Sequence, residues 1–292
     1  MVIGANGALG RAVMQRLGSE AAIAATRAGR SVPAGFEHVD LSADGIPPLD
    51  ELAKCRAVIN AAGLVTGDVS SIEAANIRLP AAIANAAKSV GVAKFVQVSS
   101  FSIYGNVELI DASTPENPTS NYGRSKALGD AAVLALADRS FDVESLRLPF
   151  MFSPQKAGLL SPLITMALTL GFLPDVSQRA VARSMMTYND AASTLVECAR
   201  NKNSGISLAA DPQLFDYQLL KLVVRHATDR NIHIAALPKS VADTIVTILP
   251  AIGRRLFRSS ILHNGINCAG SQPLGLEKAL YELALASGKI RK

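Results

Sequence analysis

The opening residues constrain this chain more than any other segment. Val2-Ile3-Gly4-Ala5-Asn6-Gly7-Ala8-Leu9-Gly10-Arg11 spells a short apolar strand, a Gly-rich turn and the start of a helix. Three glycines at intervals of three suit a turn whose backbone meets a phosphate. Gly4 permits the tight turn, Gly7 lets the backbone approach a pyrophosphate, and Gly10 allows the helix to pack close on the strand; the helix N-terminus supplies N–H donors. Gly4, Asn6, Gly7, Ala8, Leu9 and Gly10 are therefore the expected dinucleotide contacts. Glycines also serve ordinary turns, so the motif takes its weight from its position after the first strand.

Through residue 150, short apolar runs alternate with Ala-rich helical stretches, a rhythm that predicts βαβ units and a parallel sheet. The expected strands are Met1–Ile3, Ala22–Thr26, Phe36–Val39, Ala57–Asn60, Phe95–Val98 and Val143–Leu148, with helices at Gly10–Leu17, Ser71–Val90 and Tyr122–Asp138. Apolar residues make up 49% of the chain and charged residues 18%, which excludes a disordered polar chain and suits a sheet covered on both faces. The fold class is α/β: a Rossmann doubly wound parallel sheet. A first strand of three residues is short for the centre of such a sheet, which leaves open that the start is incomplete or misassigned.

After Pro149 the rhythm changes. Leu159–Gly171, Asn189–Arg200, Tyr217–Ala227, Pro238–Leu249 and Leu274–Ala286 are expected helices, and Ser184–Tyr188 and Ile206–Leu208 expected strands. With 292 residues there is room for one large domain or two unequal lobes. The expected division is a dinucleotide-binding domain, 1–154 with 180–202, and a smaller C-terminal substrate-binding lobe, 155–179 with 203–292. Ligands would bind in the cleft between them, beyond the carboxyl ends of the strands.

Composition removes several other classes. Cys55, Cys198 and Cys268 are odd in number and far apart, supporting neither a disulfide framework nor a metal pair; no metal is expected, and a reducing cytoplasm is the expected location. The most apolar stretches, Leu159 to Leu173 and Val241 to Ile252, contain Pro or charge and fall short of the about 20 residues of a spanning helix, so no integral membrane segment is expected. The net charge of +5 is spread along the chain without interleaved aromatics, which argues against nucleic acid and suits a phosphate-bearing cofactor or substrate.

The second strand ends at Thr26-Arg27, where an NAD-selective site usually carries an acid for the ribose diol. Here Arg27, helped by Arg30, is available for a 2′-phosphate, which favours NADP, with NAD as the alternative. The plainer reading makes both arginines solvated loop residues.

Tyr122-Gly123-Arg124-Ser125-Lys126 opens a helix, and a spacing of four puts phenol and ammonium on one face, one turn apart. A nearby cation favours phenolate and is expected to lower the phenol pKa from about 10 toward the range of acid–base work. Such a pair also arises by chance. Its company gives it meaning: Val98-Ser99-Ser100-Phe101-Ser102-Ile103-Tyr104-Gly105 follows a buried strand, and Ser100 would sit beside a nicotinamide, able to hydrogen-bond a substrate oxygen.

Four ordered features, Gly4-x-x-Gly7-x-x-Gly10, Asn60-Ala61-Ala62-Gly63, Ser99-Ser100 before Tyr104-Gly105, and Tyr122-x-x-x-Lys126, make the chain resemble an extended short-chain dehydrogenase/reductase of the NAD-dependent epimerase/dehydratase family. More narrowly, it resembles the nucleotide-sugar 4-epimerases, dehydratases and 4-ketoreductases. The resemblance implies an adenine contact at Asp40-Leu41, a cofactor-lining loop at Ala61, Ala62, Gly63 and Leu64, and Asn76 behind the nicotinamide. It also implies Ser99 in the cofactor-binding set and Pro149, in Arg147-Leu148-Pro149-Phe150-Met151-Phe152-Ser153-Pro154, near the carboxamide. Relatives often have Tyr-Gly where this chain has Phe152-Ser153. The implied catalytic set is Ser100, Tyr122 and Lys126: Tyr122 exchanges a proton with the substrate oxygen, Ser100 orients it, and Lys126 holds the ribose and biases the phenol.

The implied substrate is a nucleotide sugar. Leu159–Gly171 resembles a helix that helps hold the nucleotide diphosphate in relatives, and Gln272–Leu280 resembles their terminal helix, although the Gly-Trp-x-Pro that often precedes it is replaced by Asn267-Cys268-Ala269-Gly270-Ser271. Arg183, Arg254 and Arg255 could meet a diphosphate or lie in solvent. Three readings follow: an NADP-dependent 4-ketoreductase-like oxidoreductase, favoured by Arg27; a redox-neutral 4-epimerase that retains NAD; and a catalytically silent NAD(P)-sensing protein, which the intact Ser–Tyr–Lys set argues against. A non-sugar carbonyl substrate would require an apolar pocket instead. A homodimer is expected, because members of this family often pair through helices such as Tyr122–Asp138 and Ser71–Val90.

Overall fold

The computed structural model describes residues 1–292 except 20, 33, 156, 157, 159, 177–180, 249–258, 264–274 and 290–292. The strands are β1 (Val2–Ile3), β2 (Ile23–Arg27), β3 (Glu37–Leu41), β4 (Ala57–Asn60), β5 (Lys94–Ser100), β6 (Leu109–Ile110), β7 (Asp142–Leu148), β8 (Phe150–Phe152), β9 (Phe172–Val176), β10 (Met185–Thr187), β11 (Gly205–Leu208), β12 (His233–Leu237) and β13 (Ile261–Leu262). The helices are α1 (Ala8–Leu17), α2 (Leu49–Ala53), α3 (Val69–Glu73), α4 (Leu79–Ser89), α5 (Asn121–Leu134), α6 (Leu160–Leu170), α7 (Tyr188–Arg200), α8 (Tyr217–Thr228), α9 (Lys239–Ile248) and α10 (Leu276–Lys289).

Seven strands form one parallel sheet in the order β11-β7-β5-β4-β1-β2-β3. The chain runs outward from β1 to β3, then crosses back over β1 to β4 and continues the other way. The direction therefore switches beside β1, and at such a switch the loops above the carboxyl ends part to leave a crevice.

Both faces of the sheet are covered, which is why its strands are mostly apolar rather than alternating. On one face Leu9, Ala12 and Val13 of α1 meet Ala191, Ala192, Leu195 and Val196 of α7. On the other, Ile83, Ala84 and Ala87 of α4 and Val133 of α5 cover Phe95 and Val143. Each fully buried Val, Leu, Ile or Phe side chain among these contributes about 1.5–3 kcal/mol, against about 1 kcal/mol for a helix cap. The caps formed by Ser120 on α5 and Thr187 on α7 thus set where helices start, and the apolar faces decide that they pack.

A separate apolar cluster gathers Leu163, Ile164 and Ala167 of α6, Leu220, Val223 and Val224 of α8, and Leu280 and Leu283 of α10. Three two-stranded parallel pairs, β8 with β10, β9 with β12, and β6 with β13, lie outside the main sheet. Of these strands only β10 is foreseen in the sequence; runs of two to five residues are too short to carry a period.

Two expected helices are corrected. Ser71–Val90 is not continuous: α3 and α4 flank a π-helical turn, Ala74–Arg78, with Pro80 in the first turn of α4. The expected helix through Asp138 ends at Leu134, because Asp138 instead accepts backbone N–H bonds from Ser140 and Phe141 in a local turn. The termini expected at Leu159, Leu249 and Leu274 lie outside the described residues. No described helix is long and apolar enough to cross a membrane.

Candidate active site

At the carboxyl edge of β1, Gly4 takes φ +76°, and a Cβ on Gly10 would stand 2.2 Å from the Gly4 carbonyl oxygen. Turn and helix are therefore closed on each other in a way only glycine permits. Gly7, exposed, is the N-cap of α1, and no side chain caps the helix there, so its first N–H groups face the crevice. Asn6 and Ala8 are half-buried, while the Leu9 side chain packs in the core, leaving its backbone as the part that could meet a ligand.

Thr26 is buried at the end of β2, and its Oγ1 shares a 2.9 Å hydrogen bond with His38 Nε2 on β3; His38 in turn lies 3.7 Å from Asp40. Asp40 and Leu41 stand in register with Thr26 and Arg27. Arg27 and Arg30 are exposed. Arg11, from the first turn of α1, donates Nε to the Asn6 carbonyl at 3.0 Å and reaches the Ser31 carbonyl at 3.3 Å. A loop lined by three arginines thus follows β2. Arg11 and His38 escape sequence reasoning because the contacts that give them meaning are between segments.

Beyond β4, the loop Ala61–Leu64 is pinned by one side chain. Asn76, buried in the π-helical turn, accepts from Leu64 N at 2.9 Å, donates to Leu64 O at 2.8 Å, and donates to Ser125 Oγ at 2.9 Å. The wider π turn lets this amide reach both loop and helix α5. Contact is continuous along the crevice: a Cβ on Gly4 would meet Ala62 N at 2.9 Å, and one on Gly63 would lie 3.9 Å from Lys126 Nζ.

The start of α5 is equally close-fitted. A Cβ on Gly123 would stand 2.4 Å from the Ser102 carbonyl oxygen, so the first turn of α5 rests directly on the 3₁₀ turn that follows Ser100. This contact brings the half-buried Tyr122 phenol beside the Ser100 hydroxyl, whose Oγ lies 3.1 Å from Ser102 Oγ. Lys126, fully interior, donates to the Val98 carbonyl at 2.5 Å. Ser100, Tyr122 and Lys126 are therefore assembled where β5 ends. Ser99 points instead to Asp130, donating at 2.8 Å, and Pro149 is buried between β7 and β8.

One expectation about charge is reversed. Burial pushes the Tyr122 phenol above its ordinary value, the neighbouring Ser100 hydroxyl opposes this and Asp130 adds to it. The net direction is upward although the Lys126 ammonium lies one turn away, because burial outweighs the effect the spacing suggested. The lysine is itself drawn down to about 8 by burial, against the pull of Asp130.

The glycine turn, the uncapped helix start, the arginine-lined loop and a buried ammonium whose only hydrogen bond among the described residues goes to Val98 together fit a dinucleotide phosphate and ribose. In the C-terminal half, burial lowers the Arg183 guanidinium to about 10, with Tyr217 opposing. Arg254 and Arg255 lie outside the described residues.

The model of the NAD dependent epimerase/dehydratase family matches residues 1–207. No curated protein matches the sequence. Among solved structures, the chain is similar to MoeE5 in complex with UDP-glucose and NAD (18% identity, covering 100% of this chain and 99% of that one, TM-score 0.76). It is also similar to the UDP-glucuronic acid 4-epimerase of Bacillus cereus in complex with NAD (14%, 100% and 99%, TM-score 0.75) and to the UDP-N-acetylglucosamine 4-epimerase of Bacillus cereus (15%, 98% and 97%, TM-score 0.76). At these identities the likeness is one of fold.

Proposed function

The chain belongs to the NAD-dependent epimerase/dehydratase family, enzymes of the extended short-chain dehydrogenase/reductase type, and from that premise we propose that it is an NADP-dependent oxidoreductase acting on a keto or hydroxyl carbon of a nucleotide sugar, in the manner of a 4-ketoreductase. The observation that carries this reading is the seating of the first turn of α5 on the turn that follows Ser100, which sets Tyr122 beside Ser100, with the Lys126 ammonium one helical turn away. A phenol held protonated suits the donor role in a reduction.

When bound, the reduced nicotinamide supplies the hydride. Tyr122 gives its proton to the substrate oxygen as the carbonyl carbon is reduced. Ser100 donates a hydrogen bond to the same oxygen and fixes its direction. Lys126 stabilises the phenolate left behind and holds the ribose; Gly4, Asn6, Gly7, Ala8, Leu9 and Gly10 hold the pyrophosphate. Asp40 and Leu41 meet the adenine, and Ala61, Ala62, Gly63, Asn76, Ser99 and Pro149 line the rest of the cofactor site. Arg27 and Arg30 take the 2′-phosphate, with Arg11 steadying their loop through Ser31. The substrate lobe is 155–179 with 203–292, Arg183 of the dinucleotide-binding domain is the described candidate for the diphosphate, and the protein works as a homodimer.

A redox-neutral 4-epimerase would use the same Ser–Tyr–Lys set, and two of the similar solved structures are 4-epimerases. Thr26, buried at the position of the usual acid, favours NADP and the reductase. Titration with NADPH and NADH, followed by addition of 4-keto-sugar nucleotides, separates these readings. Tighter binding of NADPH and loss of its near-ultraviolet absorbance on adding a keto sugar are expected. Interconversion of two sugar epimers without net loss of reduced cofactor, or no dinucleotide binding, would overturn the reductase.

A further inference from the structure

Asp130 lies one turn beyond Lys126 on α5 and is 1% exposed. Its Oδ2 accepts from Ser99 Oγ at 2.8 Å and from Arg147 Nε at 3.0 Å. Arg147, buried on β7, also donates Nη1 to the Tyr104 hydroxyl at 2.9 Å, donates Nη2 to Glu116, and lies 5.3 Å from the centre of the Tyr104 ring. One guanidinium thus joins α5, the turn after Ser100 and the loop before Tyr122. The other oxygen of Asp130 and the hydroxyl of Ser145, both buried, have no hydrogen-bond partner among the described residues.

A carboxylate this deep is costly, and an apolar pair of similar volume would serve packing as well. Its neighbourhood suggests a task. Charged and titratable groups around Lys126 are few: Tyr122 and Asp130 on its own helix, Arg147 on β7, and Tyr104 and Glu116 on the far side of Arg147. The Glu73–Arg78 and Lys88–Asp138 pairs on neighbouring segments are substantially exposed. From β5 and the π turn come Ser99 and Asn76, which do not titrate.

We propose that Asp130, kept ionised by Arg147 and Ser99, is a positioning residue that keeps the Lys126 ammonium charged at neutral pH. This rests on the role given above to Lys126. Burial pushes the Asp130 carboxyl above its ordinary value, and the Lys126 and Arg147 charges oppose that rise, as Asp130 in turn opposes the loss of the Lys126 proton to burial. An opposite charge nearby favours the charged partner, by about one to three pK units when it stands within about 4–6 Å. Without Asp130 the lysine would lose its proton within the neutral range, and the phenol and ribose would face a neutral amine.

The test follows the Lys126 proton directly. The full chain, grown with lysine carrying carbon-13 at the ε position, is titrated by NMR without cofactor or substrate, and Lys126→Met identifies the resonance. The midpoint is expected near 8 in the wild type and at least about one unit lower in Asp130→Asn, with Asp130→Glu restoring it. If Asp130→Asn does not fold, the double variant Asp130→Asn/Arg147→Met leaves no buried charge of this pair unmatched and is expected to shift the midpoint the same way. A midpoint that stays or rises in the folded variant overturns the proposal. Because the readout needs no turnover, an inactive protein with the expected shift would refute the reductase and leave the Asp130 role standing. An active one without the shift would do the reverse.

Discussion

The Lys126 ammonium donates its hydrogen bond to the backbone of Val98, 28 residues earlier, at 2.5 Å. Helix α5 is thereby tied to the last residues of β5 at the point where Ser100 emerges. The tie carries a cost, since a charge is held away from water, and this cost gives the site a measurable pH signature.

Replacing Lys126 should stabilise the free protein while harming function. In the fold the lysine holds its proton less tightly, at about 8 against 10.5 when unperturbed. The folded-state cost is full below pH 8 and fades as pH rises toward 10.5, because there the folded protein releases the proton first. That difference corresponds to on the order of 3 kcal/mol, less about 1 kcal/mol for the lost bond to Val98. Urea unfolding of Lys126→Met is expected to exceed wild type by about 1–3 kcal/mol at neutral pH, with the gap closing in alkali. Equal stability at neutral pH would contradict the burial of a charged lysine.

Gly123→Ala tests the fit between α5 and the turn after Ser100. Its new methyl group would stand 2.4 Å from Ser102 O, so helix or turn must move. A loss of about 1–3 kcal/mol in stability is expected, with a fall in kcat larger than any change in dinucleotide affinity, because the movement separates Tyr122 from Ser100. Unchanged melting temperature and kcat would show that the contact does not govern the site.

Arg27→Ala is expected to weaken NADPH binding about tenfold and to leave NADH nearly unaffected, since an exposed charged contact to a phosphate is partly screened. The difference should shrink in high salt. Equal effects on both cofactors in a fluorescence titration would remove the 2′-phosphate from this loop.

The parts legible in the sequence are those with a long period or a local chemical pattern. The main-sheet strands from β1 to β7 were all foreseen, as were the turn at Gly4–Gly10 and helix α5 with Tyr122 and Lys126, because each is written in contiguous residues. The interruption at Asn76 was not, since Ala74–Arg78 has ordinary helix-forming composition and its π turn answers to contacts with Leu64 and Ser125. The Thr26–His38 bond, the reach of Arg11 to Ser31, and the Asp130–Arg147 pair join residues far apart in the chain. The Tyr122 phenol illustrates the same limit. Spacing predicts the neighbouring cation, but only the fold reveals how deep the phenol lies, and depth decides the direction of its shift.

The central claim is that Tyr122 passes a proton to substrate while a dinucleotide occupies the crevice. The most direct measurement is single-turnover oxidation of bound NADPH on mixing with a 4-keto-sugar nucleotide, comparing wild type with Tyr122→Phe, which keeps the ring and removes the acid. The account predicts unchanged NADPH binding and a rate reduced about 10²–10⁴-fold in the variant. Turnover at the wild-type rate in Tyr122→Phe would contradict it.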